Sequence, residues 1–206
     1  MGIEEPRRAD RRVQRTHRLL REALIALTLE RGWDAISVQD VCDRADVGRS
    51  TFYTHFADKE DVLVRGLDDL QEGLRQLGIA QPRAAARPLY FTLALIEHAQ
   101  GQWKFFRALI GKRSGQTAER RFRLMVTELV REDLAAFVVP GPRFEAVVHY
   151  IAGAFFDLLS WWLDSRSPLQ ATEVDELFHR LTESALSLVR AAGPSHTGPA
   201  ARGRGR

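Results

Sequence analysis

Residues 36–61 read ISVQDVCDRADVGRSTFYTHFADKED, and this stretch decides the fold. Ser37 stands before a short helical pattern, where its hydroxyl can cap the free N–H groups of a new helix. Asp46-Val47-Gly48 predicts a tight turn, and residues 49–56 predict a second short helix. Upstream, Gly32 predicts the end of a longer first helix, because glycine accepts a left-handed conformation. Two short helices joined by a tight turn beside a longer helix form a helix-turn-helix.

The side chains of this motif divide between a small core and a polar face. The apolar residues have the spacing to close a core: Val38, Val41, Val47, Phe52 and Phe56. Ala45 is small where the two short helices approach each other. The other side chains of the second short helix can all form hydrogen bonds with base edges or phosphates: Arg49, Ser50, Thr51, Tyr53, Thr54 and His55.

The motif resembles the DNA-binding domain of the TetR family of transcription regulators over roughly residues 11–70. The matching residues are Thr51-Phe52-Tyr53-Thr54-His55-Phe56, followed by Lys59-Glu60-Asp61-Val62-Leu63. The resemblance implies that Tyr53 and Lys59 contact phosphates, Lys59 together with the N-terminus of the fourth helix. It implies a similar contact for Ser37 at the second helix and for His55. Arg49, Ser50 and Thr54 are the implied base contacts.

Three positions depart from the pattern of the family. Asp46 stands where glycine is usual, so we expect this aspartate to adopt a left-handed conformation. Gly48 stands where serine is common, which removes a capping hydroxyl and one potential phosphate contact. Cys42 stands where alanine is common, and we expect a packed small side chain rather than a redox sensor.

Charge and composition limit the class of protein. The net charge of +3 is modest, but residues 1–21 carry seven arginines: Arg7, Arg8, Arg11, Arg12, Arg15, Arg18 and Arg21. This run could neutralise phosphates, or it could be a solvated basic helix end. The single Cys42 excludes an internal disulfide and fits a reducing compartment. The most apolar stretch, residues 150–163, is shorter than the ~20 residues of a membrane span and contains Asp157. We therefore expect a cytoplasmic protein without a membrane partner.

Helical periodicity along the chain predicts an all-α fold. We expect a basic N-terminal arm at residues 1–10, a three-helix DNA-binding domain at 11–57 and a connecting helix at 58–75. A helical domain for effector binding and dimerisation follows at 76–192, with helices at about 88–99, 102–111, 117–138, 143–164 and 172–191. Residues 193–206 have no apolar residue larger than alanine and are expected to be a disordered basic tail.

The C-terminal helices show no catalytic or metal-binding pattern. His98, His149 and His179 lie far apart in sequence and lack the spacing of metal ligands. There is no glycine-rich phosphate loop and no nucleophile with a base beside it. The sequence therefore predicts no enzyme, no metal and no cofactor.

Large apolar residues are abundant in the helices from residue 88 onward. Plain core packing explains each of them singly, while some could surround a cavity, as in TetR relatives, with His98, Trp103 or Tyr150 as the polar group. The predicted pocket for a small apolar or amphipathic effector comprises Phe91, Leu95, His98, Trp103, Phe106, Met125 and Tyr150.

The last two helices carry a broad apolar stripe that predicts a homodimer. Paired with its copy across a two-fold axis, this hairpin would form a four-helix bundle, the usual interface of the family. The predicted interface residues are Ile151, Phe155, Leu159, Trp162, Phe178 and Leu181. Gly153 and Ala154 would allow the helices to approach closely.

The predicted function is a repressor that binds a palindromic operator in double-stranded DNA as a dimer and is released by a small-molecule effector. Two alternatives stay open. One is an activator or co-activator with the same fold. The other is a small-molecule-binding protein with a vestigial DNA-binding domain.

Overall fold

The computed structural model describes residues 4–80, 88–109, 116–135, 141–165 and 167–190, and those residues contain no β-strand. The elements are α1 (Glu4–Arg31), a 3-10 turn (Trp33–Ala35), α2 (Val38–Ala45), α3 (Arg49–His55), α4 (Lys59–Ala80), α5 (Thr92–Gly101), α6 (Trp103–Leu109), α7 (Gln116–Ala135), α8 (Pro142–Ser165) and α9 (Ala171–Arg190). The prediction of an all-α fold with an N-terminal helix-turn-helix is confirmed.

Several helices differ in length from the predictions. Helix α1 begins at Glu4, so most of the predicted arm at 1–10 is helical. Helix α4 continues to Ala80, past the predicted end at 75, and its Gly78 lies against the ring of Tyr90, where an added Cβ would collide. Helix α5 begins at Thr92 rather than 88, because Leu89 adopts a φ of 63° and its N–H donates to the Asp133 carboxylate. The predicted tail at 193–206 lies outside the described residues.

The helix-turn-helix has a continuous core that extends beyond the predicted domain. Leu20, Leu24 and Leu27 of α1 are buried together with apolar residues of α2, α3 and α4. Phe105 of α6 and Ala118 of α7 belong to the same cluster. The N-terminal domain is therefore anchored on α6 and α7 of the C-terminal half, and it does not depend on α4 alone for its position.

The second core is built around α8. Phe91, Phe155 and Phe178 are nearly inaccessible to solvent, and their rings meet edge to face. The ring centroids of Phe91 and Phe155 are 6.3 Å apart, and those of Phe155 and Phe178 are 5.1 Å apart. Arg75 of α4 forms a bidentate salt bridge with Glu132 of α7. The connecting helix α4 is thus part of this second core as well as of the first.

Helix α8 is long and apolar enough to cross a membrane by length and composition. Its 24 residues exceed the shorter apolar stretch recognised in the sequence. Eight of them are buried against the other helices of the chain. The central helix of a packed helical core has this same composition, so the apolar character of α8 is explained by its place in the fold.

Candidate nucleic-acid interface and adjoining cavity

Ser37 and Asp40 form a reciprocal cap at the start of α2. The Asp40 N–H donates to Ser37 Oγ at 3.2 Å, the Ser37 N–H donates to Asp40 Oδ2 at 2.9 Å, and the Ser37 hydroxyl donates to the same carboxylate. These bonds to Ser37, with the charge of Arg31, lower the pKa of Asp40. The hydroxyl proton of Ser37 is thus engaged within the cap, and the phosphate contact implied for this residue stays a prediction.

The turn between α2 and α3 has the predicted geometry. Asp46 adopts a left-handed conformation, with φ 52° and ψ 47°, and its N–H donates to the carbonyl oxygens at the end of α2. Gly48 is the N-cap residue of α3 and provides no side-chain hydrogen bond. Cys42 is buried among the core residues, and burial raises the pKa of its thiol. The left-handed conformation expected for Asp46 and the packing expected for the Cys42 side chain are confirmed.

Helix α3 presents a polar face to solvent opposite a buried apolar one. Phe52 is fully buried, whereas Tyr53 is half exposed. The exposed side chains are Arg49, Ser50, Thr51, Tyr53 and Thr54. The Arg49 guanidinium lies 5.8 Å from the centre of the Tyr53 ring. No acidic residue occurs in this helix, so the face suits a polyanion.

The charged residues around α3 differ in whether they are paired. Arg44 binds Glu30 through two hydrogen bonds of 2.9 Å and 2.6 Å, and Arg31 binds Asp40 at 3.0 Å. Arg49 has no carboxylate partner among the described residues. Its charge is therefore available to a ligand.

His55 and Lys59 are placed differently from the other predicted DNA contacts. The half-buried His55 ring lies 5.0 Å from the ring of His17 on α1, at the inner side of α3. Lys59 Nζ donates to the carbonyl oxygens of Trp33 and Ile36, each at 2.8 Å. Two of the three N–H groups of Lys59 thus hold α4 to the segment after α1. This placement gives Lys59 a structural role, and its contact with a phosphate stays a prediction.

The residues predicted for the effector pocket are not brought together around one cavity. Phe91, Leu95 and Met125 are completely buried in the second core, where other side chains fill the space around them. Tyr150 is 59% exposed on the outside of α8, and Trp103 is also exposed. His98 and Phe106 do line a cavity, at another place. The other five residues do not line this cavity, and their role in binding an effector stays a prediction.

The cavity that the structure shows lies between the N-terminal domain and the C-terminal half. Its volume is about 410 Å³. It is bounded by α1, α4, α5, α6 and α7, and its walls are formed by Arg18, Arg21, Glu22, Leu24, Ile25, Leu63, Gly66, Leu67, Asp69, Leu70, His98, Gln102, Phe105, Phe106, Ala118 and Glu119. The sequence reasoning assigned the α1 and α4 residues to the helix-turn-helix and the connecting helix, so it missed this site.

Gly66 shapes one wall of the cavity. The Arg21 side chain crosses α4 at this glycine, where an added Cβ would come within 3.4 Å of Arg21 Cδ. Arg21 then reaches Asp69 at 2.5 Å. A glycine inside an amphipathic helix was the sequence signal for this close approach.

Most residues of the predicted dimer interface are buried within one chain. Ile151, Phe155, Leu159, Trp162 and Phe178 are buried inside the single chain, with at most 4% of each exposed. Side chains already covered within one protomer cannot form the contact between two. These five residues lie in the core of the single chain, whereas Leu181 is 61% exposed, and the position of the interface stays a prediction.

Three large apolar side chains of α8 and α9 are uncovered in the single chain. Tyr150, Trp161 and Leu181 are each more than half exposed. Between the first two, Gly153 has nothing within 4 Å of an added Cβ, and Ala154 is only half-buried. We call Tyr150, Ala154, Trp161 and Leu181 the outer face. Exposed apolar surface of this kind marks interaction sites.

The structure thus defines a helix-turn-helix protein with a helical second domain. Residues 20–65 match the family described as bacterial regulatory proteins, tetR family. The chain is 34% identical over 61 residues to the HTH-type transcriptional regulator YxbF of Bacillus subtilis (strain 168), which covers 29% of this chain and 16% of that protein. The chain therefore matches only a small part of the length of this curated relative.

Solved structures share the fold over most of the chain. A TetR-family transcriptional regulator from Syntrophomonas wolfei superposes with a TM-score of 0.67 at 16% identity, covering 90% of this chain and 99% of that one. The dihydroxyacetone kinase operon activator DhaS superposes with a TM-score of 0.60 at 16% identity, covering 85% and 97%. The N-terminal segment of the chain therefore matches the tetR family model, and the chain as a whole shares the fold of solved TetR-family regulators, in agreement with the resemblance noted in the sequence.

Proposed function

We propose that this protein is a dimeric transcription regulator that binds double-stranded DNA through α3. The polar face of α3 carries this proposal, because it places five hydrogen-bonding side chains on one exposed surface without a carboxylate. One of the five is Arg49, which has no carboxylate partner among the described residues. Arg49, Ser50 and Thr54 face base edges in the major groove, and Tyr53 contacts the backbone. In the protein without DNA, the Thr54 hydroxyl donates to the Ser50 carbonyl oxygen. When DNA binds, the hydroxyl gives up this hydrogen bond and forms one with a base. Thr51 lies at the edge of the surface that contacts DNA. His55 reaches a phosphate only with the exposed part of its half-buried ring.

The dimer follows from the outer face and from the geometry of DNA. A single α3 offers too few contacts for tight binding at cellular salt. Two copies joined through Tyr150, Ala154, Trp161 and Leu181 present two recognition helices related by a two-fold axis. Such a pair fits a palindrome whose half-sites lie about 34–36 Å apart, or a multiple of that distance.

We infer repression with release by a small molecule, in a cytoplasmic protein that has no catalytic role and no membrane partner. The cavity between the domains supports a regulatory ligand, since α1 and α4 form its walls and also carry the helix-turn-helix. Activation remains the alternative, because the fold of an operon activator is shared with this chain. The exposed polar face of α3 argues against a vestigial DNA-binding domain.

Selection from a random pool of duplexes tests the proposal. The full-length protein is expected to enrich a palindrome and to bind it with an affinity that falls steeply with salt. Combined Arg49→Ala and Tyr53→Phe should abolish enrichment, whereas Arg120→Ala, at an exposed site on α7, should not. A wild-type protein that enriches no sequence and shows no salt-sensitive binding would rule out DNA binding. Footprints overlapping the promoter support repression, and footprints upstream support activation.

A further inference from the structure

The cavity lies at the junction of the two hydrophobic cores rather than inside either one. Leu24 and Leu63 in its walls belong to the N-terminal core, which Phe105 completes from α6. Leu67 and Leu70, also in its walls, pack against the second core. Whatever occupies this space therefore touches both halves of the molecule at once.

Its size and apolar walls suit a small organic molecule. The volume of about 410 Å³ falls in the range of ordinary ligand pockets. Ile25 of α1 lines one side, and Phe105 and Phe106 of α6 are also part of the wall. Aliphatic and aromatic walls of this kind favour a ligand with an apolar body.

The polar groups that are free to bind a ligand are uncharged. His98 and Gln102 lie four residues apart along the wall, and neither side chain has a hydrogen-bond partner among the described residues. Burial lowers the pKa of His98, and the nearby charge of Arg21 lowers it further. A neutral imidazole offers one donor and one acceptor, and the amide of Gln102 offers both as well.

The charged groups of the wall are already paired with one another or with a neighbour. Arg21 binds Asp69 at 2.5 Å, Arg18 lies 3.8 Å from Glu22, and Glu119 lies 3.2 Å from Arg123 outside the cavity. A charged ligand would have to compete with one of these pairs. A neutral ligand leaves all three intact.

We propose that this cavity binds a neutral amphipathic small molecule. Its apolar body lies between Ile25 and Phe105, and its hydroxyl, carbonyl or amine group forms hydrogen bonds with His98 and Gln102. Because the ligand lies between α1 and α6, it changes the position of the helix-turn-helix relative to the C-terminal half. This last step, regulation of DNA binding, rests on the proposed function; the binding itself does not.

A fluorescence titration without DNA tests the site. The probe is N-phenyl-naphthylamine, an uncharged aromatic amine whose emission rises in apolar surroundings. It should bind the full-length protein saturably, with one site per protomer. Ile25→Trp fills the cavity and should weaken binding at least tenfold. Leu29→Trp, at an exposed position one turn along α1, is the matched control and should bind as the wild type does.

A second variant keeps the test decisive if Ile25→Trp fails to fold. His98→Leu alters a solvent-accessible side chain and leaves the volume nearly unchanged. It should weaken probe binding about fivefold, the usual effect of one hydrogen bond. Wild-type affinity in both variants would overturn the proposed location, as would a wild-type protein that binds no probe.

The charge of the ligand is tested with anilinonaphthalene sulfonate, which has the same rings and an added negative charge. It should bind at least tenfold more weakly than the neutral amine. Tighter binding of the sulfonate would overturn the assignment to a neutral ligand.

Regulation is tested separately on the selected duplex. The neutral probe should weaken DNA binding by the wild type and by Leu29→Trp, and have little effect on Ile25→Trp. An unchanged DNA affinity at saturating probe would overturn the coupling. Since the titrations contain no DNA, a protein that binds the probe but no duplex would disprove the proposed function and leave the site standing.

Discussion

Lys59 is joined to Trp33 in two ways: its Nζ donates to the Trp33 carbonyl oxygen at 2.8 Å and lies 4.9 Å from the centre of the indole ring. A second bond of 2.8 Å reaches the carbonyl of Ile36. The first residue of α4 is thereby fixed to the segment that connects α1 with α2. The lysine therefore stabilises the frame that carries α3.

Replacing Lys59 with methionine should destabilise the fold, because two partly buried carbonyl oxygens lose a charged donor. We expect a loss of about 3 kcal/mol in the free energy of unfolding, measured by urea denaturation. Lys104→Met, on the exposed surface of α6, is the control and should change stability by less than about 0.5 kcal/mol. Unchanged stability with weaker, less salt-sensitive DNA binding would instead support Lys59 as a phosphate contact alone.

Gly48→Ser should stabilise the protein by roughly 0.5–1 kcal/mol. Gly48 has φ −63° and ψ 144°, the extended conformation of an N-cap residue, and an added Cβ would meet no atom closer than 3.9 Å. The new hydroxyl can accept the Thr51 N–H. Gly32→Ser is the matched control, and it should destabilise, because Gly32 has φ 80°. Equal changes in the thermal midpoints of both variants would show that the cap contributes nothing.

The sequence predicted the helix-turn-helix well because its determinants are local. The Ser37 cap, the left-handed Asp46 and the burial of Phe52 each depend on residues only a few positions away. The same reasoning placed Phe155 in the dimer interface and Phe91 in the effector pocket, and both lie in the core of one chain. Periodicity shows that a helix face is apolar, but a neighbour in the same chain and one in another subunit produce the same pattern.

The cavity was missed for a related physical reason. It is formed where α1 and α4 meet α5, α6 and α7, and the helical pattern of each element alone gives no information about this junction. Phe105 and Ala118 join the N-terminal core from more than thirty positions beyond the matched family segment, which ends at residue 65. Contacts over such distances require the packed structure.

Arg49 and Tyr53 should differ in what they contribute to DNA binding. Arg49→Ala removes a base contact and should cost about 1–3 kcal/mol at one operator position, with less effect on other sequences. Tyr53→Phe removes a backbone contact and should weaken binding to all duplexes by a similar factor. Fluorescence anisotropy with the operator and with single-base variants separates the two. The same loss on every duplex for Arg49→Ala would exclude it as a reader of bases.

Leu181→Glu and Phe155→Ala should separate assembly from folding. Leu181 is exposed on the outer face, so a charge there should dissociate the dimer while each protomer stays folded. Phe155 is 1% exposed, and its truncation should cost about 3–5 kcal/mol in stability without blocking assembly. Sedimentation at micromolar concentration and urea denaturation report the two effects. A dimeric Leu181→Glu protein would place the interface elsewhere.

The stability of the protein should fall as the pH drops below 6.5, in part through His17. The pKa of His17 lies below its ordinary value of 6.5, first because the ring is buried, then because His55 and Arg65 add positive charge, although Asp69 opposes them. Its Nε2 is buried and has no hydrogen-bond partner among the described residues. The unfolded chain therefore takes up a proton at a pH where the folded chain resists it, and the stability present above pH 6.5 is lost as the pH falls.

His17→Phe keeps a ring against Phe56 and should flatten this dependence of stability on pH, measured as the urea midpoint between neutral and mildly acidic pH. His149→Phe, at an exposed position on α8, should keep the wild-type slope, and an equally steep slope in His17→Phe would assign the acid sensitivity to other groups, such as His98.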